Sequence, residues 1–242
     1  MENASKALIM AGSILLAIMV IGLLVFGYRQ ISDLEQTKEN SDYVDKLAEY
    51  MARFEQFNRG KDNPLYGSEL LSLANLQEDY NLSDARADVG YDKIEIYVTM
   101  KNSLEDYLIA GKTYNISEIL EKINGILEKA EKYEKTNSNY NNKSVRYYSK
   151  KSYREIAVDF NIDIPSNAPN VPSFDENGNE IKTIEEYLRE NSKVNALLNE
   201  IEQYNNLNTT YNQFRIGKRF YCESVDYNEF NGRIKTMNFV EI

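Results

Sequence analysis

The chain begins with a strongly apolar segment. Residues 7–28 form a run of 22 residues without one charged side chain. As an α-helix, a run of this length extends about 33 Å at roughly 1.5 Å per residue, and the hydrocarbon core of a bilayer is about 30 Å thick. The run is longer than the apolar part of a secretory signal and is not followed by an Ala-x-Ala cleavage site. The pattern therefore predicts a single, retained transmembrane helix.

Apolar positions continue beyond this run at helical spacing. Four of them recur at intervals of three, four and three residues: Val44, Leu47, Met51 and Phe54. No Pro or Gly interrupts 29–59, so we expect one helix over 5–58 that ends before Gly60. This seam is short, which favours packing on the chain's own head over a free coiled coil. The predicted domains are 1–60, an anchor with a long amphipathic helix, and 61–242, a globular head.

The head contains clear strand and hairpin signals. Residues 93–100 alternate between polar and apolar side chains, with one apolar face: Ile94, Ile96, Val98 and Met100. Strict alternation predicts a half-buried strand. Near the end of the chain, Asn231-Gly232 separates two β-rich runs, which is the strongest short-range signal for a hairpin. A short helix is expected over 68–81.

Two capping boxes predict longer helices. Asn115 and Glu118 open one of them, and Thr183 and Glu186 open another that extends to about Tyr204. In a capping box, a side chain at each end of a four-residue motif satisfies a backbone N–H that would otherwise lack a partner.

The remaining apolar runs, 145–149 and 155–160, are strand candidates. Helices and antiparallel hairpins are then segregated along the chain, without regular alternation. This arrangement predicts an α+β fold. The expected architecture is an N-terminal transmembrane helix that continues into a long amphipathic helix, followed by an antiparallel-sheet head with several helices.

Composition narrows the range of functions. The chain carries a net charge of -10, has no histidine and has one cysteine, Cys222. An acidic surface repels phosphate backbones, so we expect no nucleic-acid partner. Without histidine, Ser-His-Asp and Cys-His arrangements are impossible. We therefore expect no enzyme activity and no cofactor, and we interpret Cys222 as a small buried side chain.

Carboxylates are frequent, and two groups of them are candidate sites. Glu118, Glu121 and Glu128 are interpreted as a solvated helix face and not as a hydrolytic pair. Asp175, Asn177 and Asn179 offer alternate oxygen ligands, as the first part of a calcium loop does. This loop lacks the full twelve-residue pattern and the final bidentate Glu. The alternative interpretation is a hairpin turn at Asn177-Gly178.

The apolar run also carries small side chains at regular spacing. Ala7 and Ala11 are four residues apart, as are Ser13 and Ala17. This small-xxx-small spacing lets two helices approach closely. In an assembly, we expect Glu2 to pair with a neighbouring N-terminus or with Lys6. The predicted helix-packing positions are Glu2, Ala7, Ala11, Gly12, Ala17 and Gly22.

The layout of residues 1–60 resembles that of type IV pilin-like subunits, including the tight-adherence (Tad/Flp) type. The shared features are a very short N-terminal region, an apolar helix directly after it, a long amphipathic continuation and an α+β head. In that family the apolar helices pack in the core of a filament and the heads coat it. Family prepilins are cut after a Gly, and a Glu occupies the fifth mature position. No such Gly precedes residues 7–28, and no such Glu lies within them, so no cleavage site is carried over.

The resemblance implies a non-catalytic structural subunit of a bacterial surface filament, held in the membrane before assembly, with its head outside the cell. The implied partners are further copies of the chain, the lipid bilayer and an export or assembly machinery. The alternative is a monomeric, membrane-tethered surface domain that binds a protein or a glycan. A third interpretation, an accessory protein facing the cytosol, stays open because the Lys and Arg bias around the apolar run is weak.

Overall fold

The computed structural model describes residues 42–176 and 178–242. Within them the chain divides into two compact units. One unit contains 42–56 and 79–93, and the other contains 57–78 and 94–242. The predicted division into 1–60 and 61–242 stays a prediction.

The smaller unit contains helix α1, residues 42–55. Two of its seam residues, Leu47 and Phe54, are fully buried, whereas Val44 is 40% exposed. The buried stripe is therefore narrower than the sequence pattern predicts. The helix ends before Gly60 as expected, and residues 5–41 of the predicted helix lie outside the described residues.

Tyr80 is the aromatic centre of the smaller unit. Its ring meets the rings of Tyr50 and Phe54 edge-on, with centroids 5.6 and 5.9 Å away. Aromatic pairs in this geometry add roughly 0.5–1.5 kcal/mol beyond the area they bury. A short helix of this unit is followed by Gly90, whose φ of 73° suits glycine.

Helices of very different length and mostly short strands make up the rest of the described chain. The helices after α1 are α2 (Gly67–Leu82), α3 (Asp84–Val89), α4 (Ile116–Glu131), α5 (Val145–Tyr148), α6 (Tyr153–Asp159), α7 (Ile184–Arg189) and α8 (Ser192–Asn212). Short turns of 3₁₀ helix occupy Lys132–Glu134 and Ser138–Tyr140, and a π-helical turn occupies Gln213–Gly217. The strands are β1 (Leu65–Tyr66), β2 (Glu95–Thr99), β3 (Thr113–Asn115), β4 (Thr136–Asn137), β5 (Lys143–Ser144), β6 (Ser173–Phe174), β7 (Glu180–Ile181), β8 (Arg219–Tyr227) and β9 (Ile234–Glu241).

The larger unit is built on a mixed sheet with the strand order β1-β8-β9-β2-β3. All neighbouring strands are antiparallel except β9 and β2, which pair in parallel with Ile96 opposite Met237 and Val98 opposite Phe239. The predicted antiparallel sheet is therefore wrong. Parallel strands need a long crossover connection, and in this fold that connection is the whole segment between β2 and β9.

Two local predictions for this sheet are confirmed. The predicted apolar face of 93–100 is completely buried at all four positions. The Asn231-Gly232 signal marks the turn between β8 and β9, which pair antiparallel. Gly232 has a φ of 65°, a value that a residue with a side chain rarely adopts.

An apolar cluster lies among the helices of the larger unit. It joins the facing sides of α4, α7 and α8 with the short helices α5 and α6. Its buried members are Ala130, Tyr140, Val145, Tyr148, Ile156, Ala157, Ala168, Ile184, Leu188, Val194, Leu197, Leu198 and Tyr204. Because α5 and α6 are very short, this shared burial, and not their own propensity, stabilises them.

The two strand candidates in this region are wrong, since 145–149 and 155–160 are largely helical. Ser144 caps α5 by accepting a hydrogen bond from the Tyr147 amide. Ser152 and Glu155 form a complete capping box at the start of α6. Aromatic and β-branched residues favour strands only weakly, and the caps together with burial outweigh that preference.

The capping box of Thr183 and Glu186 is confirmed at the start of α7. However, the helix does not continue to Tyr204. It ends at Arg189, and Asn191 caps a new helix, α8, by accepting hydrogen bonds from the amides of Lys193 and Val194. At α4, Asn115 is the N-cap, but its side chain accepts from the Ser117 amide and not from the Glu118 amide, so the predicted capping box with Glu118 is wrong.

The predicted transmembrane helix also needs correction. Among residues 42–176 and 178–242, no helix is both long and apolar enough to cross a membrane. The described fold is therefore α+β with a mixed sheet and without that helix. The segment 7–28, on which the prediction rests, lies outside the described residues. So do the predicted packing positions, which are Glu2, Ala7, Ala11, Gly12, Ala17 and Gly22.

Candidate functional site

An open groove of about 570 Å³ runs beside α8 in the larger unit. The end of α4 and the 3₁₀ turn after it form one wall, and α8 forms the other. Its lining residues are Glu105, Lys129, Lys132, Tyr133, Lys135, Asn137, Val145, Glu200, Gln203, Asn206 and Leu207. We call this the basic groove, because lysines dominate one rim.

The lysine rim results from a three-residue spacing. Lys129 lies in the last turn of α4, Lys132 begins the 3₁₀ turn and Lys135 follows it. In a 3₁₀ helix, side chains three residues apart lie on the same side. All three lysines are exposed, and none forms an ion pair with a carboxylate of the described residues. The rim thus presents three ammonium groups that no described carboxylate pairs with directly, and Glu105 and Glu200 line the same groove.

Glu200 lies on the opposite wall, and its carboxylate accepts a hydrogen bond from a tyrosine. The Tyr140 hydroxyl donates a 3.0 Å hydrogen bond to Glu200 Oε1. Burial, and then the hydrogen bond and charge of Glu200, raise the pKa of Tyr140 to about 12. The phenol therefore stays protonated at neutral pH and remains a hydrogen-bond donor to the Glu200 carboxylate.

Glu105 is held in a similar way. The Thr210 hydroxyl donates a 2.6 Å hydrogen bond to Glu105 Oε1. Across the groove, Tyr133 donates a 2.6 Å hydrogen bond to Gln203 Oε1. Both carboxylates of the groove thus act as acceptors for structural hydroxyl groups.

The floor of the groove is partly apolar. Val145 belongs to the helical core, and Leu207 and Tyr133 pack against that core while remaining partly exposed. An apolar floor with amide groups and a charged rim is typical of a binding site. It suits a ligand that combines negative charge with an apolar or aromatic group.

Sequence reasoning missed this site, although a signal was present. The segment 129–151 contains seven Lys and Arg residues and only two Glu, a net charge of +5 in a chain of net charge -10. Counting charge over windows reveals this island. The identity of the opposite wall could not be found in this way, since Glu200 and Gln203 are far away in the sequence.

The proposed calcium loop forms a hairpin turn. β6 and β7 pair antiparallel, which confirms the hairpin interpretation of this loop. Asp175 Oδ1 accepts a 2.8 Å hydrogen bond from the Asn179 amide, and Asp175 Oδ2 accepts one of 3.2 Å from Asn179 Nδ2. Asn177 lies outside the described residues. In the described part of the chain, no group of three His, Cys, Asp or Glu side chains is arranged to hold a metal ion.

The other side chains singled out by the sequence lie at the surface or near it. Glu118, Glu121 and Glu128 are exposed on α4, which confirms the solvated helix face. Cys222 lies on β8 as a thiol and is partly exposed, so the expectation of a buried side chain is wrong.

Comparison of the chain with protein-family models, with curated proteins and with solved structures finds no match.

Proposed function

We propose that the chain is a non-catalytic, pilin-like structural subunit of a bacterial surface filament. Its N-terminal apolar segment self-associates in the core of the assembly, and the α+β head forms the outer layer. The observation that carries this proposal is the order along the chain. An uncharged run of 22 residues precedes an α+β head that carries an open groove with a lysine rim.

The chemistry of the groove agrees with a structural role. Its two carboxylates accept hydrogen bonds from Thr210 and Tyr140, and the raised pKa of Tyr140 keeps that proton in place. A general acid or base must exchange protons near the working pH. These groups instead fix the walls of the groove.

Small residues in the apolar segment supply the means of self-association. In an apolar setting, helices associate through close backbone approach and van der Waals contacts, and Gly and Ala permit this approach. Gly12 and Ala11 are the central small residues of the predicted packing face.

The test is the amount of surface polymer formed by Gly12→Ile, with cellular levels of the subunit matched to wild type. We expect a decrease of at least about tenfold, equivalent to about 1.4 kcal/mol per contact. Val25→Ile is the matched control, because it also adds apolar surface but replaces no small residue. Equal polymer in Gly12→Ile and wild type, or no polymer in wild type, would contradict the proposal.

A second candidate function is a tethered surface domain that binds a protein or glycan partner. The basic groove favours it, since an exposed groove with tyrosine, amides and lysines also suits an external ligand. This alternative predicts that Gly12→Ile retains full ligand binding and that no polymer forms in wild type.

A further inference from the structure

The larger unit separates its charges into two neighbouring segments. The segment 129–151 has a net charge of +5 and supplies the lysine rim of the basic groove. The segment 155–181, which we call the acidic segment, contains six Asp and Glu residues and no Lys or Arg. The two segments lie only a few residues apart in a chain with many other charges.

Among the described residues, one ion pair joins the two segments: Lys151 Nζ lies 2.8 Å from Glu155 Oε1. Four acids of the acidic segment form no ion pair with the described residues: Asp159, Asp163, Glu176 and Glu180. All four are exposed. The three lysines of the groove rim are likewise exposed. Each surface therefore keeps its charge available for a partner.

The acidic segment also exposes large apolar side chains. Val158, Val171 and Phe174 are 74%, 68% and 67% exposed. Phe174 ends β6 and is followed directly by Asp175 and Glu176. An exposed aromatic residue beside acids is the chemical complement of an apolar floor beside lysines.

The hairpin presents Phe174 in a defined geometry. Phe174 pairs with Glu180 across the β6–β7 ribbon, and the Asp175 amide donates a 2.8 Å hydrogen bond to the Asn179 carbonyl. A preorganised segment loses little conformational freedom on binding, which favours affinity. The groove has room for the ring, because a cavity of about 150 Å³ already holds a benzene molecule and the groove measures about 570 Å³.

We infer that the basic groove binds the β6–β7 hairpin of a second copy of this chain. Phe174 of the second copy lies on the floor formed by Tyr133 and Leu207, and Glu176 and Glu180 lie against the lysine rim. The inference rests on the proposed filament function and specifies a contact between heads. Groove and hairpin are different patches, so the contact is heterologous, and each added copy leaves one groove and one hairpin open for growth.

The test is site-specific disulfide formation in the full-length chain, in detergent solution, on a Cys222→Ser background. One chain carries Lys135→Cys and the other carries Glu176→Cys. We expect the mixed disulfide to form at least about tenfold faster than with Glu223→Cys, an exposed acid on β8 that lies outside the acidic segment. Equal rates for the two pairs would overturn the inference.

Two further variants test the chemistry of the contact. Lys129→Glu with Lys132→Glu on the groove chain should reduce the disulfide to the control level, and Glu180→Lys on the hairpin chain should restore part of it. Phe174→Ser should slow formation about tenfold, since burial of a phenylalanine is worth that much or more. Phe230→Ser, at a residue 97% exposed on the other hairpin, should change nothing. A disulfide insensitive to all of these changes would also overturn the inference.

The disulfide experiment and the measurement of surface polymer can give independent answers. Disulfide formation without surface polymer in wild type supports the head contact and contradicts the filament. Polymer with disulfide only at the control level supports the filament and contradicts this contact. If polyglutamate binds the groove while the disulfide stays at the control level, the groove serves an external anionic ligand and the inference is wrong.

Discussion

The ammonium group of Lys218 lies 2.6 Å from Glu241 Oε1, and the two side chains are only 12% and 3% exposed. Glu241 Oε2 also accepts hydrogen bonds of 2.9 Å from the backbone amides of Lys101 and Asn102. Lys218 directly precedes β8, Glu241 ends β9, and Lys101 follows β2 closely. One buried carboxylate therefore joins three strand ends of the sheet.

Removal of one partner from this pair should be costly. Lys218→Met leaves the Glu241 charge buried without its cation, and we expect a loss of about 3–5 kcal/mol in the free energy of unfolding. Urea denaturation of the full chain measures this value. Arg146→Met is the control, since its ion pair with Glu134 is 48% and 42% exposed and should contribute about 0–1 kcal/mol. If Lys218→Met and Arg146→Met lost a similar free energy of unfolding, the buried ion pair would stabilise the protein no more than the exposed one.

The same carboxylate predicts a dependence of stability on acid pH. Burial raises the pKa of Glu241, but hydrogen bonds from Asn102 and Lys218 outweigh it, so the pKa lies below its ordinary value. The stabilisation is therefore fully present above the unfolded pKa of about 4.3 and is lost as the pH falls through the lowered folded pKa. In Glu241→Gln the free energy of unfolding should vary less over this acid range. If the variant kept the wild-type dependence of the free energy of unfolding on pH, other carboxylates would be the cause of that dependence.

The hydrogen bond of Tyr140 predicts that stability also decreases at alkaline pH. Burial and the hydrogen bond to Glu200 raise its pKa to about 12. The contribution to stability is thus complete below an unfolded pKa of about 10 and is lost as the pH rises from there through the folded pKa. Tyr140→Phe should lose about 1–3 kcal/mol at neutral pH, because Glu200 loses its donor, and should show a flatter stability profile at alkaline pH. Thermal unfolding followed by circular dichroism at several pH values measures both effects, and an unchanged profile would contradict the assignment.

Two glycines should respond oppositely to alanine. A Cβ at Gly67 would lie 2.0 Å from the Phe214 carbonyl oxygen, whereas a Cβ at Gly125 meets nothing within 4 Å. Gly67→Ala forces the backbone apart and should cost more than about 3 kcal/mol. Gly125→Ala, inside α4, should stabilise the protein by about 0.5–1 kcal/mol. If both variants changed the free energy of unfolding equally, the close approach of Gly67 to the Phe214 carbonyl would not contribute to stability.

Local signals predicted much of the head. The apolar face of 93–100, the Asn115 cap and the Thr183–Glu186 box depend on residues a few positions apart, and all are found. The wrong strand prediction at 155–160 could also have been avoided from local sequence. Ser152 and Glu155 form a capping box that is visible in the sequence, and it outweighs the strand preference of the residues around it.

Other features depend on residues far apart and could not be predicted in this way. The parallel pairing of Ile96 with Met237 has no sequence signature, since each strand pattern fits either orientation. The basic groove is only partly visible in the sequence. Its lysine rim is a local cluster of positive charge, but Glu200 and Gln203 reach the groove only because α8 packs on α4. Local chemistry determines the elements, and the site needs the tertiary fold.

The position of β9 has a consequence for biosynthesis. The middle strand of the five is supplied by 234–241, which follow every other strand of the sheet in the sequence. During synthesis, the β2–β3 pair emerges early and must wait for its neighbour β9, so the sheet can close only after translation has passed residue 241. Such late, non-local pairing slows folding.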